Sequence, residues 1–211
     1  MQKKLTHKRI VPVAVIDSLA DAVPLARALE SAGLPLIEVT LRTPCALDCI
    51  TAIRAECPKV TVGAGTVLNP AQLEAAIGAG AQFGVAPGFN KEVVLAATEN
   101  KLFFIPGVMT PSDIEAALMV GCKLLKFFPA DSAGGLKMLK ALSGPYEPAG
   151  VRFIPLGGIS AANMSEYLAM PAVAAVGGSW LCERKLVKEK KWAEITALAK
   201  EALSKVPVAP K

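Results

Sequence analysis

The sequence predicts an α/β protein folded as a single (β/α)8 TIM barrel, one domain over residues 1–211 with its strands and helices between about residues 10 and 204. Three observations predict it. Short apolar, β-branched-rich runs recur along the chain; each is followed by Gly, Pro, Asn or Ser and then by a stretch of helical periodicity; and no linker or compositional break interrupts the alternation.

The eight runs centre near Val13, Val39, Val62, Val85, Phe104, Lys126, Ile154 and Ala175. Their spacing of 19 to 28 residues holds one strand, one helix and two short loops. After the first run, Asp17 or Ser18 opens a helix that Gly33 stops. After the second, a helix begins near Pro44. Asn69-Pro70 opens another that stops at Gly80, and Thr110-Pro111 one that stops at Gly121, with proline in the first turn and glycine past the last. Ser160 and Asn163 open the helix after the seventh run. A doubly wound open sheet is the competing architecture. Its G-x-G-x-x-G normally follows the first strand, whereas RIVPVAVID has no glycine, and Gly63-Ala64-Gly65-Thr66 lacks the third.

A chain that is 53% hydrophobic and 19% charged is not a disordered one. The net charge of +5 comes from the ends, Lys3, Lys4, Lys8 and Arg9, then Arg184, Lys185, Lys188, Lys190 and Lys191. Without interleaved aromatics these read as solvated termini, so no nucleic-acid partner is expected. Five scattered cysteines without C-x-x-C, and His7 as the single histidine, point away from a metal centre, a cofactor or a histidine-based triad. The first residues carry charge but no apolar h-region, and no apolar run nears ~20 residues, so no membrane partner is expected and the cytoplasm is the expected location.

Against this apolar background Lys126 stands out, in Leu124-Leu125-Lys126-Phe127-Phe128-Pro129. It either snorkels to the strand end or sits inside the barrel, where desolvation disfavours an ammonium and the free amine serves a Schiff-base nucleophile. Glu38 repeats the anomaly in Leu36-Ile37-Glu38-Val39-Thr40-Leu41-Arg42. Side chains alternate across a strand, so if Ile37, Val39 and Leu41 face the helices, Glu38, Thr40 and Arg42 point inward. A carboxylate near such an amine can relay protons; the alternative is a structural ion pair. Arg42 can take a substrate carboxylate by its two-pronged donor set, or be a surface arginine. Thr66 can add a hydroxyl to that group, or cap a helix. Gly157-Gly158 and Gly177-Gly178-Ser179 follow the last two strands, where barrels commonly bind phosphate.

In this order EVTLRT, VGAGTV, PGVMTPSDIEAAL, LKFFPA, PLGGIS and GGSWL resemble the 2-keto-3-deoxy-6-phosphogluconate (KDPG) and 4-hydroxy-2-oxoglutarate (KHG) aldolase family, from Val11 to about Leu181. The resemblance implies a metal-free class I aldolase, a homotrimer acting on a phosphorylated 2-keto acid. It makes Lys126 the Schiff-base lysine and Glu38 the general acid/base. Arg42 and Thr66 would hold the pyruvate carboxylate, Gly157, Gly158, Gly178 and Ser179 the phosphate, and Leu156 and Pro87 would meet the substrate hydroxyls. Two departures stand out. The first strand ends in Ile16-Asp17 where some relatives carry arginine, so no basic group is expected there. Leu156 stands where the phosphogluconate-specific members have threonine, which resembles the 2-keto-3-deoxy-6-phosphogalactonate branch. Losing a hydroxyl contact there relaxes or inverts the preference between epimers. A sugar-phosphate isomerase or synthase with Lys126 as a mere charge, and a catalytically silent phosphate-binding or assembly protein, are the competing functions.

Overall fold

Strand and helix alternate in the expected order in the structure, a computed structural model that describes residues 1–207. Residues 208–211, the end of the expected domain, lie outside the described residues. The order is α1 (Gln2–His7), β1 (Ile10–Ala14), a 3-10 turn (Leu19–Asp21), α2 (Ala22–Ser31), β2 (Leu36–Thr40), α3 (Ala46–Glu56), β3 (Thr61–Gly65), α4 (Pro70–Gly78), β4 (Phe83–Val85), α5 (Lys91–Glu99), β5 (Phe103–Ile105), β6 (Gly107–Val108), α6 (Pro111–Met119), β7 (Leu124–Phe127), α7 (Gly135–Tyr146), β8 (Arg152–Pro155), α8 (Met164–Ala169), β9 (Val176–Gly178), α9 (Arg184–Lys188) and α10 (Trp192–Ser204).

All strand pairs are parallel, in a curled six-stranded sheet ordered β5-β4-β3-β2-β1-β9 and a three-stranded sheet ordered β6-β7-β8. The fifth expected strand is therefore two. Pro106, which has no N–H to donate, separates β5 from the two residues of β6 that pair with β7. At the other seam the Phe153 N–H donates to Ala172 (2.8 Å) and its carbonyl accepts from Ala174 (2.9 Å), tying β8 to the segment before β9.

Period-2 alternation divides the core into two layers. Val11, Leu36, Phe83, Val85, Ile105, Leu124 and Ile154 pack together on the concave side of the strands. Ile37, Val39, Val62, Ala64, Leu125 and Phe127 face the helices. Lys126 and Glu38 each lie between helix-facing neighbours and so point to the concave side. Helix ends follow the expected chemistry at α4 and α6. Asn69 accepts from the Gln72 N–H (2.9 Å), and Thr110 and Asp113 form a reciprocal capping box. Gly80 and Gly121 end their helices at positive φ, the conformation glycine adopts without penalty.

Elsewhere the long-range structure corrects the local reading. Ser18, not Asp17, is the N-cap residue of this run, but without a side-chain capping bond, and a 3-10 turn precedes α2; α3 starts at Ala46, two residues beyond Pro44. The N-terminal residues form α1, whose Leu5 is fully buried with the concave core. Arg9 is no solvated terminus: its guanidinium donates to the carbonyls of Leu168 (2.8 Å), Val173 (3.0 Å) and Ala174 (3.4 Å), holding the C-terminal end of α8 and the lead into β9. Arg184 pairs with Asp17 through two bonds of 2.5 and 2.6 Å. The Asp17 carboxylate, three residues beyond β1, is thus met by a guanidinium from 167 residues away.

Candidate active site

Lys126 and Glu38 meet on the concave side, the lysine 5% and the glutamate 1% exposed, with Nζ 4.0 Å from Oε1. That is too long for a direct hydrogen bond, and Oε1 has no other partner. A single oxygen atom about 2.8 Å from each would be within hydrogen-bond reach of both. Burial raises the Glu38 carboxyl above the usual carboxylate range, and the Lys126 charge opposes part of that rise. The Phe128 ring, its centroid 4.9 Å from Nζ, backs the amine.

The neighbours explain how a carboxylate fits there. Thr40 and Gly65 are paired in register, and a Cβ on Gly65 would overlap the Glu38 carboxylate. Gly63 similarly leaves room for the Phe83 ring. The Val-Gly-Ala-Gly run is thus a strand with two missing side chains on its concave side. Leu156 lines the same small cavity as Glu38 and Lys126 and packs over Gly177.

The other expected residues sit at the C-terminal ends of the strands. Arg42 lies in the turn after β2, exposed and in no ion pair among the described residues. Thr66, immediately after β3, has φ +59°, a conformation that strains a β-branched residue. Asn69 caps the helix in its place, which removes the capping role for Thr66. Pro87 follows β4, with its carbonyl over Gly107 where a side chain would collide. Gly157 and Gly158 both have positive φ, and the Ile159 carbonyl lies 3.3 Å from the Cβ position of Gly178, so the two glycine loops touch. Exposed Ser179 begins a turn closed by the Cys182 N–H to its carbonyl (2.9 Å).

Three contributors escape sequence reading. The Asn163 side chain, rather than capping α8, donates to the Gly158 carbonyl and accepts from the Ser160 N–H, each at 2.9 Å, and so braces the first glycine loop. The Asp131 side chain packs where a Gly158 Cβ would be, and the Trp180 ring does so at Gly178. The last two are visible only as glycines that tolerate no side chain.

The sequence profile of KDPG and KHG aldolase matches residues 1–198. The chain belongs to this family. It is 47% identical over 199 residues to the KHG/KDPG aldolase of Escherichia coli K12, covering 94% of this chain and 92% of that protein. The KDPG aldolase of Legionella pneumophila, solved with pyruvate captured as a covalent carbinolamine, superposes with a TM-score of 0.91 at 40% identity, covering 95% and 97% of the two chains. The family fold also superposes on the 2-keto-3-deoxy-6-phosphogluconate aldolase of Zymomonas mobilis ZM4, solved with 3-phosphoglycerate, at a TM-score of 0.89 and 42% identity, covering 99% and 98%.

Proposed function

We propose that the protein is a class I aldolase that reversibly cleaves 2-keto-3-deoxy-6-phosphogluconate to pyruvate and glyceraldehyde 3-phosphate, and 4-hydroxy-2-oxoglutarate to pyruvate and glyoxylate. The observation that carries this is the buried Lys126–Glu38 pair, 4.0 Å apart with an unpartnered carboxylate oxygen, in a chain of this family. Lys126 Nζ adds to the C2 ketone, and Glu38 gives the departing hydroxyl a proton, so that water leaves and a protonated imine remains. The Glu38 carboxylate then takes the C4 hydroxyl proton while the electrons of the C3–C4 bond flow into the imine. The aldehyde departs, the enamine is protonated at C3, and hydrolysis returns pyruvate and the amine. The imine itself is the electron sink, so these steps call on no metal or redox cofactor. Arg42 and Thr66 hold the substrate carboxylate, and Gly157, Gly158, Gly178 and Ser179 the phosphate. Pro87 and Leu156 border the carbon chain.

A second reading, the galactonate-derived epimer as substrate, is favoured by Leu156, whose buried apolar side chain offers no hydrogen bond to a C4 hydroxyl. Pyruvate release from both phosphorylated epimers and from 4-hydroxy-2-oxoglutarate tests both readings. The wild type should turn over the two epimers with little preference, and Leu156→Thr should favour one by ten-fold or more. No pyruvate from any of the three would overturn the proposal.

We also infer that the two sheets form one closed (β/α)8 barrel and one domain, a reading supported by the Phe153–Val173 bridge at one seam and, at the other, by the bond from the Gly107 N–H of β6 to the Gly88 carbonyl beyond β4 (3.1 Å). A homotrimer in the cytoplasm is the assembly and location that the family resemblance supports; among the described residues no helix is long and apolar enough to cross a membrane.

A further inference from the structure

We propose a second ligand site, for a small multiply charged anion, at the end of the fold opposite Lys126. A cavity of about 380 Å3 opens beside α1, and Lys3, Lys4, His7, Lys8 and Lys59 line it together with Thr61. No acidic side chain lines it, and none of its four lysines is in an ion pair among the described residues. Four of the chain's 23 lysines and arginines thus meet at one cavity with no carboxylate in its wall.

The arrangement is held in place. Leu5, fully buried, fastens α1 to the concave core, so Lys3, Lys4 and His7 are presented by an anchored helix. Lys4 and Lys8 are four residues apart, a spacing at which like charges repel unless a counter-charge is supplied. The neutral donor in the wall is Thr61, 7% exposed, whose hydroxyl has no hydrogen-bond partner among the described residues. The volume is that of a metabolite pocket. It lies at the first residues of β2 and β3, about 13 Å along the strand from Thr40, with Leu36 and the apolar concave core between it and Lys126. The ligand is therefore an oligophosphate or a polycarboxylate, bound independently of the reaction.

Calorimetric titration at low salt with inorganic tripolyphosphate, and separately with citrate, tests this; the tighter binder identifies the phosphoryl or the carboxylate source. One saturable site per chain is expected, unchanged by saturating pyruvate. Lys4→Gln and Lys59→Gln should each weaken it at least five-fold without changing turnover, while Lys200→Gln on α10 should leave it unchanged. The proposal is overturned by absence of saturable binding of either anion, by loss of binding with pyruvate, or by equal weakening in all three variants.

Discussion

Gly65→Ala tests whether the position of Glu38 matters as well as its presence. An alanine Cβ would overlap the carboxylate and lie 2.8 Å from both Cγ and Cδ of Glu38, where ordinary contact begins near 3.4 Å. Glu38 is closed in on all sides, so relief displaces its carboxylate by about 1 Å relative to Lys126. A misplacement of about 1 Å costs a positioned catalytic group on the order of 100-fold, or about 2.7 kcal/mol of barrier. The same overpacking should cost about 1–3 kcal/mol of stability, leaving the variant folded. Pyruvate release, coupled to a dehydrogenase, measures kcat, and urea denaturation checks the fold. Gly78→Ala is the control, because nothing lies within 4 Å of its Cβ position. A folded Gly65→Ala with kcat within three-fold of the wild type would refute the reasoning.

Two further predictions concern stability. Burial raises the folded Glu38 pKa above its unfolded value, so the folded state holds this proton more tightly. Its contribution to stability therefore falls as pH rises from about 4.3 through the raised folded value, and is constant outside that window. Glu38→Gln should gain stability relative to the wild type as pH rises through the window, read from urea midpoints between about pH 4 and about pH 8; a variant that loses ground contradicts the burial account. Arg9→Ala removes a guanidinium from three carbonyls and should cost about 2–4 kcal/mol in urea, whereas a loss below about 0.5 kcal/mol would mean that Arg9 does not hold β9.

What was legible in the sequence was what depends on neighbours along the chain. Asn69, Thr110, Gly80 and Gly121 mark helix ends because capping and positive φ are decided within a few residues. Alternation in β2 placed Glu38 on the inner side because a strand has no freedom in that respect, whereas Lys126 had both the interior and the strand end open to it until the packing of Leu125 and Phe127 against the helices set its side. The break of β5 from β6 at Pro106 was not read, and the fifth strand was expected whole. The roles of Arg9, Arg184 and Asn163 were hidden because each partner is set by tertiary closure. Arg9 resembled its lysine neighbours until the carbonyls of Leu168 and Val173 came to meet it. Gly65 stood in the sequence only as part of an incomplete nucleotide fingerprint and of VGAGTV; its purpose exists only beside Glu38. Lys3 and Lys4 are exposed, as expected from the sequence, which does not reveal that Leu5 anchors their helix near Lys59.

The central claim is that Lys126 forms the imine. Incubation with pyruvate, reduction with borohydride and peptide mass mapping test it most directly. The account predicts one reduced pyruvate adduct per chain, on Lys126, and none in Lys126→Met. An adduct on another lysine, or no adduct in the active wild type, would contradict it.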